Sequence, residues 1–481
     1  MTTGMKHERS RLFKPALLGL ALVLILGAGG FQGQLNRLRS EEELGLTRID
    51  PLENAPPVLA FTTVALGGFR GLISNVLWIR ANDLQQEGKY FEMVQLADWI
   101  TKLEPHFTQV WLMQGWNMAY NISVKFTSEA DRWRWVQQGI RLLRDDGLRY
   151  NPKEALIYWQ LAWIFQHKMG QNMDNAHIYY KARWAQSMEE VLGSGFPDFD
   201  ALVDPPDDAA AAHVRRLREE YKMDPVVMRE VDRDYGPLDW RMPETHAIYW
   251  AVEGLRNSRA KDLMSLRRVI YQSMHLATLR GRLNYIDTAS GPRMFRMSPN
   301  LALAEKTDAA YERMIAEDNE EKKYSIGQAH KNFLTELVFL MYVYNRPNDA
   351  DRWLAKVRRL YPEALPPEVT AAEYARVRLY GSLGEMGNDR VRAAIEGLIT
   401  QSYMNLAVGD DERAAGVLKI ATQTWNEYKR KTAGMEDRLT LAPMEEMSAR
   451  ILESMLRPGA LDPELAARLR TRLGLPAPEA P

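Results

Sequence analysis

From Leu72 onward, nearly every stretch of roughly 12 to 18 residues sets apolar side chains at i, i+3, i+4 and i+7, the period of an amphipathic helix. Glycine or proline interrupts the pattern about once per helix length. A short helix with one apolar stripe cannot bury that stripe alone, so successive helices must pair and the pairs must stack. In LISNVLWIRANDLQQEGKYFEMVQLADWITKLEP, Gly88 separates two helices, Tyr90, Ala97 and Ile100 form the packing stripe of the second, and Pro105 closes it. The next pair begins at WLMQG, with Trp111 and Gly115 four apart, carries an inserted loop at Thr127 to Asp131, and runs through DRWRWVQQGIRLLRDDGLRYNP to Pro152. A third begins at Glu154, with Tyr158, Leu161, Ala162 and Phe165 at matching offsets and DNAHIYYKARWAQSM as its partner helix.

The order of features repeats: an aromatic, a small residue four later, a glycine-type break, an alanine-centred second helix, a closing proline. In this it resembles the tetratricopeptide repeat (TPR). It returns near the C-terminus with Leu337, Ala350, Leu354 and Pro362, and again with Gly409, Ala414, Leu418 and Ala421. The resemblance implies an all-α protein built as an α-α superhelix, a TPR-like solenoid. The segments ADWITKLEP, WNMAYNIS and YGPLDWRMPETHAIYWA are also similar to a family of uncharacterised, membrane-anchored bacterial repeat proteins. That likeness implies no activity.

The sequence divides accordingly into a basic flank and membrane anchor (1–35), a linker (36–71), N-terminal helix pairs (72–192), a helical middle outside the repeat pattern (193–330), C-terminal helix pairs (331–456), and a short helix with a Pro-Ala tail (457–481). Within the middle, GSGFPDFDALVDPPDD is acidic. It lacks the alternation and central glycine of a calcium loop, so it reads as a solvated linker. GRLNYIDTASGPRMFRMSP alternates β-prone residues around Ser290–Gly291–Pro292 and predicts one small β-hairpin.

The N-terminus carries Lys6, Arg9, Arg11 and Lys14 against Glu8, and Pro15 to Phe31 then holds no charge. This is the positive-inside pattern, which predicts one transmembrane helix with its N-terminus cytoplasmic. An uncleaved anchor, a cleaved signal peptide and a buried helix share the layout. The anchor is favoured because GAGGFQGQ is a poor cleavage site. A second apolar run, Val58 to Ile79, carries Arg70 and a GGFRG centre, which makes it a poor span. The expected location is therefore a bacterial inner membrane, single-pass, with the C-terminal bulk periplasmic. Formal net charge is -1, so no nucleic-acid partner is expected. There are no cysteines, which excludes disulfides and thiolate chemistry.

No catalytic or nucleotide-binding signature occurs. His167 and His177 straddle a helix break without a third ligand. Glu244 and His246 stand in RMPETHAIYW, where Glu244 reads as first-turn charge complementing the helix dipole. Asn121-Ile122-Ser123 matches a glycosylation acceptor by coincidence. Asp146, Asp174 and Asp239 are the acids a glycan-processing toroid would need, but nothing in the sequence pairs them. No metal or cofactor is expected.

What remains is surface. The first helix of each pair should line a concave wall, exposing Asn75, Asn82 and Gln86 in the first pair, Gln114, Asn117 and Asn121 in the second, and Gln160 and Gln166, with Lys168, in the third. Amides donate and accept at once, which suits an extended peptide. Nine of the thirteen tryptophans, Trp78, Trp99, Trp111, Trp116, Trp133, Trp135, Trp159, Trp163 and Trp184, would build the wall behind them. The expected function is a non-enzymatic, membrane-anchored scaffold binding protein or peptide partners through this groove, in an envelope or secretion assembly. The alternatives are a helical-solenoid enzyme acting on glycans and a cytoplasmic-facing adaptor.

Overall fold

The computed structural model describes residues 34, 69–259, 263–286, 294–317, 320–380, 388–433 and 441–476. The described chain is mostly α-helical. The basic flank and the apolar run Pro15–Phe31 lie outside these residues, as does the first half of Val58–Ile79. The second half of that run belongs to helix α1 (Phe69–Gln86), and no helix among the described residues is long and apolar enough to cross a membrane.

Helix α1 and α2 (Tyr90–Leu103) pack as a hairpin that turns at Gly88, whose φ of +72° lies in the left-handed region that glycine occupies without strain. Met93, Ala97 and Ile100 of α2 close a small core with Ala81, Leu84 and Val110. α2 stops just before Pro105, as the sequence predicts. The outer face of α1 shows Leu72, Val76 and Ile79 to solvent.

Helix α3 (Thr108–Trp116) begins one turn earlier than Trp111 and continues as a π-helical turn, Asn117–Ile122. The expected insertion at Thr127–Asp131 is absent. Ser128 instead caps α4 (Glu129–Arg141), its Oγ accepting from the Asp131 N–H at 3.4 Å, so only a short connection is needed. α4 widens into a second π turn, Leu142–Gly147. α5 (Ala155–Trp163) widens into a third, Ile164–Gly170, before α6 (His177–Leu192). α3 and α4 cross closely, since a Cβ at Gly139 would lie 2.9 Å from the Gly115 carbonyl oxygen.

Three short helices follow, α7 (Phe199–Val203), α8 (Asp208–Glu220) and α9 (Pro225–Tyr235). The acids of the preceding loop are largely helix caps: Asp198 and Asp207 accept from the first N–H groups of α7 and α8. α10 (Pro243–Asn257) packs on α5 and its π turn, and forms a hairpin with α11 (Met264–Arg280). The predicted β-hairpin then appears as β1 (Arg282–Ile286) antiparallel to β2 (Met294–Ser298), the sole sheet among the described residues.

Among the described residues the regular elements of the C-terminal part are α-helices: α12 (Ala304–Glu317), α13 (Glu320–Val343), α14 (Pro347–Leu360), α15 (Ala371–Tyr380), α16 (Asn388–Ala407), α17 (Asp411–Lys431), α18 (Met444–Met455) and α19 (Pro463–Arg472). α13 and α14 turn at Asn345 with φ of +55°, and α16 and α17 turn at Gly409 with φ of +85°, the role Gly88 plays in the first hairpin. One core runs from Trp111 in α3 to Met447 in α18, so each pair buries its stripe against its neighbours.

Candidate functional site

The wall expected to bind a partner is made by α1, α3 and α5. Its amides divide sharply. Asn75 and Gln86 are exposed and Asn82 and Asn121 half-buried, whereas Gln114, Asn117, Gln160 and Gln166 are buried. The buried four do not face an open groove, which corrects the sequence expectation for them. Each donates across a helix interface: Gln114 to the Val94 carbonyl at 3.4 Å, Asn117 to Tyr90 at 3.1 Å, Gln160 to Leu112 at 2.5 Å, and Gln166 to Val269 at 3.2 Å and the Ser273 hydroxyl at 3.0 Å. A helical carbonyl has a second lone pair, and these amides use it to tie one helix to the next. Asn121 donates to Asn117 at 3.3 Å.

Aromatics take the place the amides were expected to hold. Trp159 stacks on Trp163 with centroids 5.7 Å apart, and Trp163 on His167 at 4.7 Å, along α5 and its π turn. On the neighbouring helix Trp116 stacks on Tyr120 at 4.1 Å. The two rows join where the Tyr120 hydroxyl meets His167 Nδ1 at 3.3 Å. Every member is partly exposed, Trp116 most, at 38%. Nearby on the first pairs, Phe91 and Trp99 are also exposed. Other tryptophans do build the wall: Trp111, Trp133 and Trp184 are buried.

Behind the row lies a buried ion cluster. Lys168 Nζ sits 2.6 Å from Asp174 and 5.3 Å from the Tyr120 ring centroid. Asp174 also accepts from Arg132 at 3.0 Å, the Tyr180 hydroxyl at 2.9 Å and the Ala176 N–H at 2.9 Å. Burial by itself raises the Asp174 carboxyl, but these donors outweigh it and hold the group at about 2. Burial pushes Lys168 below its ordinary value, with Asp174 opposing. His167 is likewise lowered, by burial and by the Lys168 charge.

A second cluster closes the other side of the loop that follows. Arg280 donates to the Gly170 carbonyl at 2.7 Å and lies 3.6 Å from Glu244. Lys181 meets His177 Nδ1 at 3.0 Å, and burial lowers it to about 8. Glu244 and His246 are 0% exposed. Burial raises the Glu244 carboxyl, with Arg280 and Lys181 opposing. His246 is pushed down to about 4 by burial, its Nε2 held 2.8 Å from the Trp240 carbonyl. Neither presents an atom to solvent; the tie to the π turn of α5 is made by Arg280 at the Gly170 carbonyl. Asp239 is engaged elsewhere, by Arg241 at 2.8 Å and the Leu283 N–H at 2.9 Å, and Asp146 is exposed. The three acids weighed for glycan chemistry are thus held by separate surroundings. Ser123 of the glycosylation match is fully buried and donates to the Ala119 carbonyl at 2.7 Å.

Sequence reasoning missed the aromatic row and the Lys168–Asp174 cluster. The i, i+4 spacing of Trp159, Trp163 and His167 was legible as a stripe. That it reaches the surface was not. No protein-family model matches the sequence, and no curated protein or solved structure matches it.

Proposed function

We propose that this protein is a membrane-anchored scaffold of the TPR-like solenoid type that recruits a protein or peptide partner. The single observation supporting this reading is the aromatic row Trp159–Trp163–His167–Tyr120–Trp116, held partly exposed across two neighbouring helix pairs. Large, rigid aromatic side chains lose little conformational entropy on binding and dominate protein interfaces. The buried amides and the Lys168–Asp174 cluster fix the helices that carry the row, which keeps that surface pre-organised. The sequential pairing of helices and the left-handed turns at Gly88 and Gly409 favour a solenoid. The basic-flanked run Pro15–Phe31 favours an inner-membrane anchor with the bulk periplasmic, in an envelope or secretion assembly.

The test is site-specific photo-crosslinking in cells, with the crosslinker at Trp116 and, as control, at exposed Gln186 on α6. A discrete crosslinked protein from position 116, absent from 186 and lost on Trp159→Ala, is the expected result. Equal crosslinking at both sites, or none at 116, refutes the aromatic docking surface.

A further inference from the structure

Three consecutive helices of the C-terminal part bring a carboxylate, an imidazole and a phenol into hydrogen-bond contact. Asp308 stands in the second turn of α12, His330 midway along α13, and Tyr361 at the C-terminal end of α14. His330 Nε2 lies 2.8 Å from Asp308 Oδ1, and its Nδ1 lies 3.0 Å from the Tyr361 hydroxyl. Tyr311 stacks on the imidazole with centroids 5.3 Å apart, which fixes the ring plane.

The direction of each hydrogen bond follows from the carboxylate. Burial raises the Asp308 carboxyl, but His330 and Lys356 outweigh it and hold the group below its ordinary value. An ionised carboxylate only accepts, so Nε2 carries the proton that points at Asp308. In a neutral imidazole Nδ1 is then the acceptor, and the Tyr361 hydroxyl donates to it. This is the relation of acid, base and hydroxyl that activates a nucleophile. The base takes the proton at the moment of attack, and the acid steadies the imidazolium that forms.

Of the three, Tyr361 alone is open to a reactant. His330 is 1% exposed and Asp308 4%, while Tyr361 is half-buried. Gly327 lies one turn before His330 on α13, and an added Cβ there would stand 3.9 Å from the Tyr361 hydroxyl oxygen. A larger residue at that position would crowd the oxygen. Burial, and after it the charges of Asp308, Glu363 and Glu312, raise the Tyr361 phenol, so it is uncharged at rest and depends on a base. The other charges at this junction are paired: Lys356 meets Glu312 at 2.8 Å as well as Asp308, and Lys331 meets Glu363 at 3.6 Å. Among the described residues, His330 is the base in hydrogen-bond contact with the phenol.

We propose that Tyr361 is a nucleophilic tyrosine that accepts an acyl group from a small activated ester, with His330 as its general base and Asp308 positioning His330. The phenolic oxygen bonds to the acyl carbon, and the bond from that carbon to the leaving oxygen breaks. The phenolic proton passes to His330 Nδ1 and from there to the departing oxygen. The products are an acyl ester on Tyr361 and the free alcohol. The half-buried hydroxyl limits the donor to a small one.

The test treats the full-length protein in detergent with p-nitrophenyl acetate and reads acetylation residue by residue by peptide mass spectrometry. Tyr324, 75% exposed on the same helix, is the internal reference. Expected is acetylation of Tyr361 at least about tenfold faster than Tyr324, since a positioned base supplies roughly 10²–10⁴-fold. His330→Gln and Asp308→Asn should bring Tyr361 to the Tyr324 rate or below and leave Tyr324 unchanged, with circular dichroism confirming the fold. Where a buried substitution unfolds the chain, the wild-type pH profile decides. The Tyr361 rate levels off once the imidazole is neutral, whereas the Tyr324 rate climbs with hydroxide throughout. Acetylation of Tyr361 no faster than Tyr324, a Tyr361 rate unchanged in a folded His330→Gln, or a Tyr361 rate that climbs with pH as Tyr324 does overturns the proposal.

Discussion

The helix pairs before the middle of the chain and those after it meet the same packing demand with different chemistry. In α3–α6 the interfaces are tied by buried amides reaching neighbouring carbonyls and by an ion cluster sealed from water. Three helices there widen into π turns, which are frequent at functional positions. In α13–α17 the helices stay regular, the turns use left-handed Asn345 and Gly409, and ion pairs such as Arg346–Glu412 lie at the surface. Polar groups in the first region hold a rigid wall. In the second they pair at the surface, as Arg346 does with Glu412. A polar group thus signals binding only when its own hydrogen bonds are not already made.

The largest expected effect tests the sealed cluster. Asp174→Ala removes the partner of Lys168 and Arg132, whose side chains are 4% and 20% exposed. It should cost about 3–5 kcal/mol in denaturant unfolding, because it leaves buried charge uncompensated. The matching change in the other region, Arg346→Ala, breaks an exposed pair and should cost less than about 1 kcal/mol. Similar losses for the two would erase the contrast drawn here.

Next comes close packing in the second region. A Cβ at Gly416 would overlap the Val343 carbonyl, which is backbone and cannot move aside. Gly416→Ala should destabilise by about 1–3 kcal/mol, read as a lowered unfolding midpoint. Gly115→Ala, whose nearest neighbours would be atoms of the Leu143 side chain, should cost less.

Acid stability sharpens the comparison further. The unfolded chain protonates His246 near its ordinary 6.5, while the folded chain refuses the proton until about 4. His246 alone should therefore take about 3 kcal/mol from stability as pH drops from 6.5 to 4, with His275, also lowered to about 4 by burial, adding to the loss over the same window. Asp174, ordinarily 3.8 and held at about 2, extends the loss to lower pH. Chemical denaturation across this range should show a shallower slope in His246→Gln, and an unchanged slope would assign the loss to other groups.

The smallest effect concerns the amides. Gln160→Ala leaves a buried interface short of one donor and should cost about 1 kcal/mol, while Asn75→Ala, exposed, should be neutral. Equal effects would mean the amides are not interface ties.

Much of the architecture was legible because it follows from local chemistry. Gly88, Gly409 and Pro105 end helices in any context, and Ser290–Gly291–Pro292 between alternating runs led to the β1–β2 pair. The inserted loop at Thr127–Asp131 was misread because Ser128 looks like loop composition and serves as a cap. The candidate site was read less well. Asn117 and Gln160 have the residue type and the spacing of a groove, but the carbonyls they meet, on Tyr90 and Leu112, lie 27 and 48 residues away.

The sequence alone determined that this chain is helical, where most helices break, and that one small hairpin interrupts them, since periodicity and turn chemistry act within a few residues. Tertiary structure decided which polar groups were spent inside. A helix period names a face but not the neighbour that covers it. A π turn adds a residue and rotates all that follows by roughly 100°. That is how amides came to lie buried and aromatics at the surface.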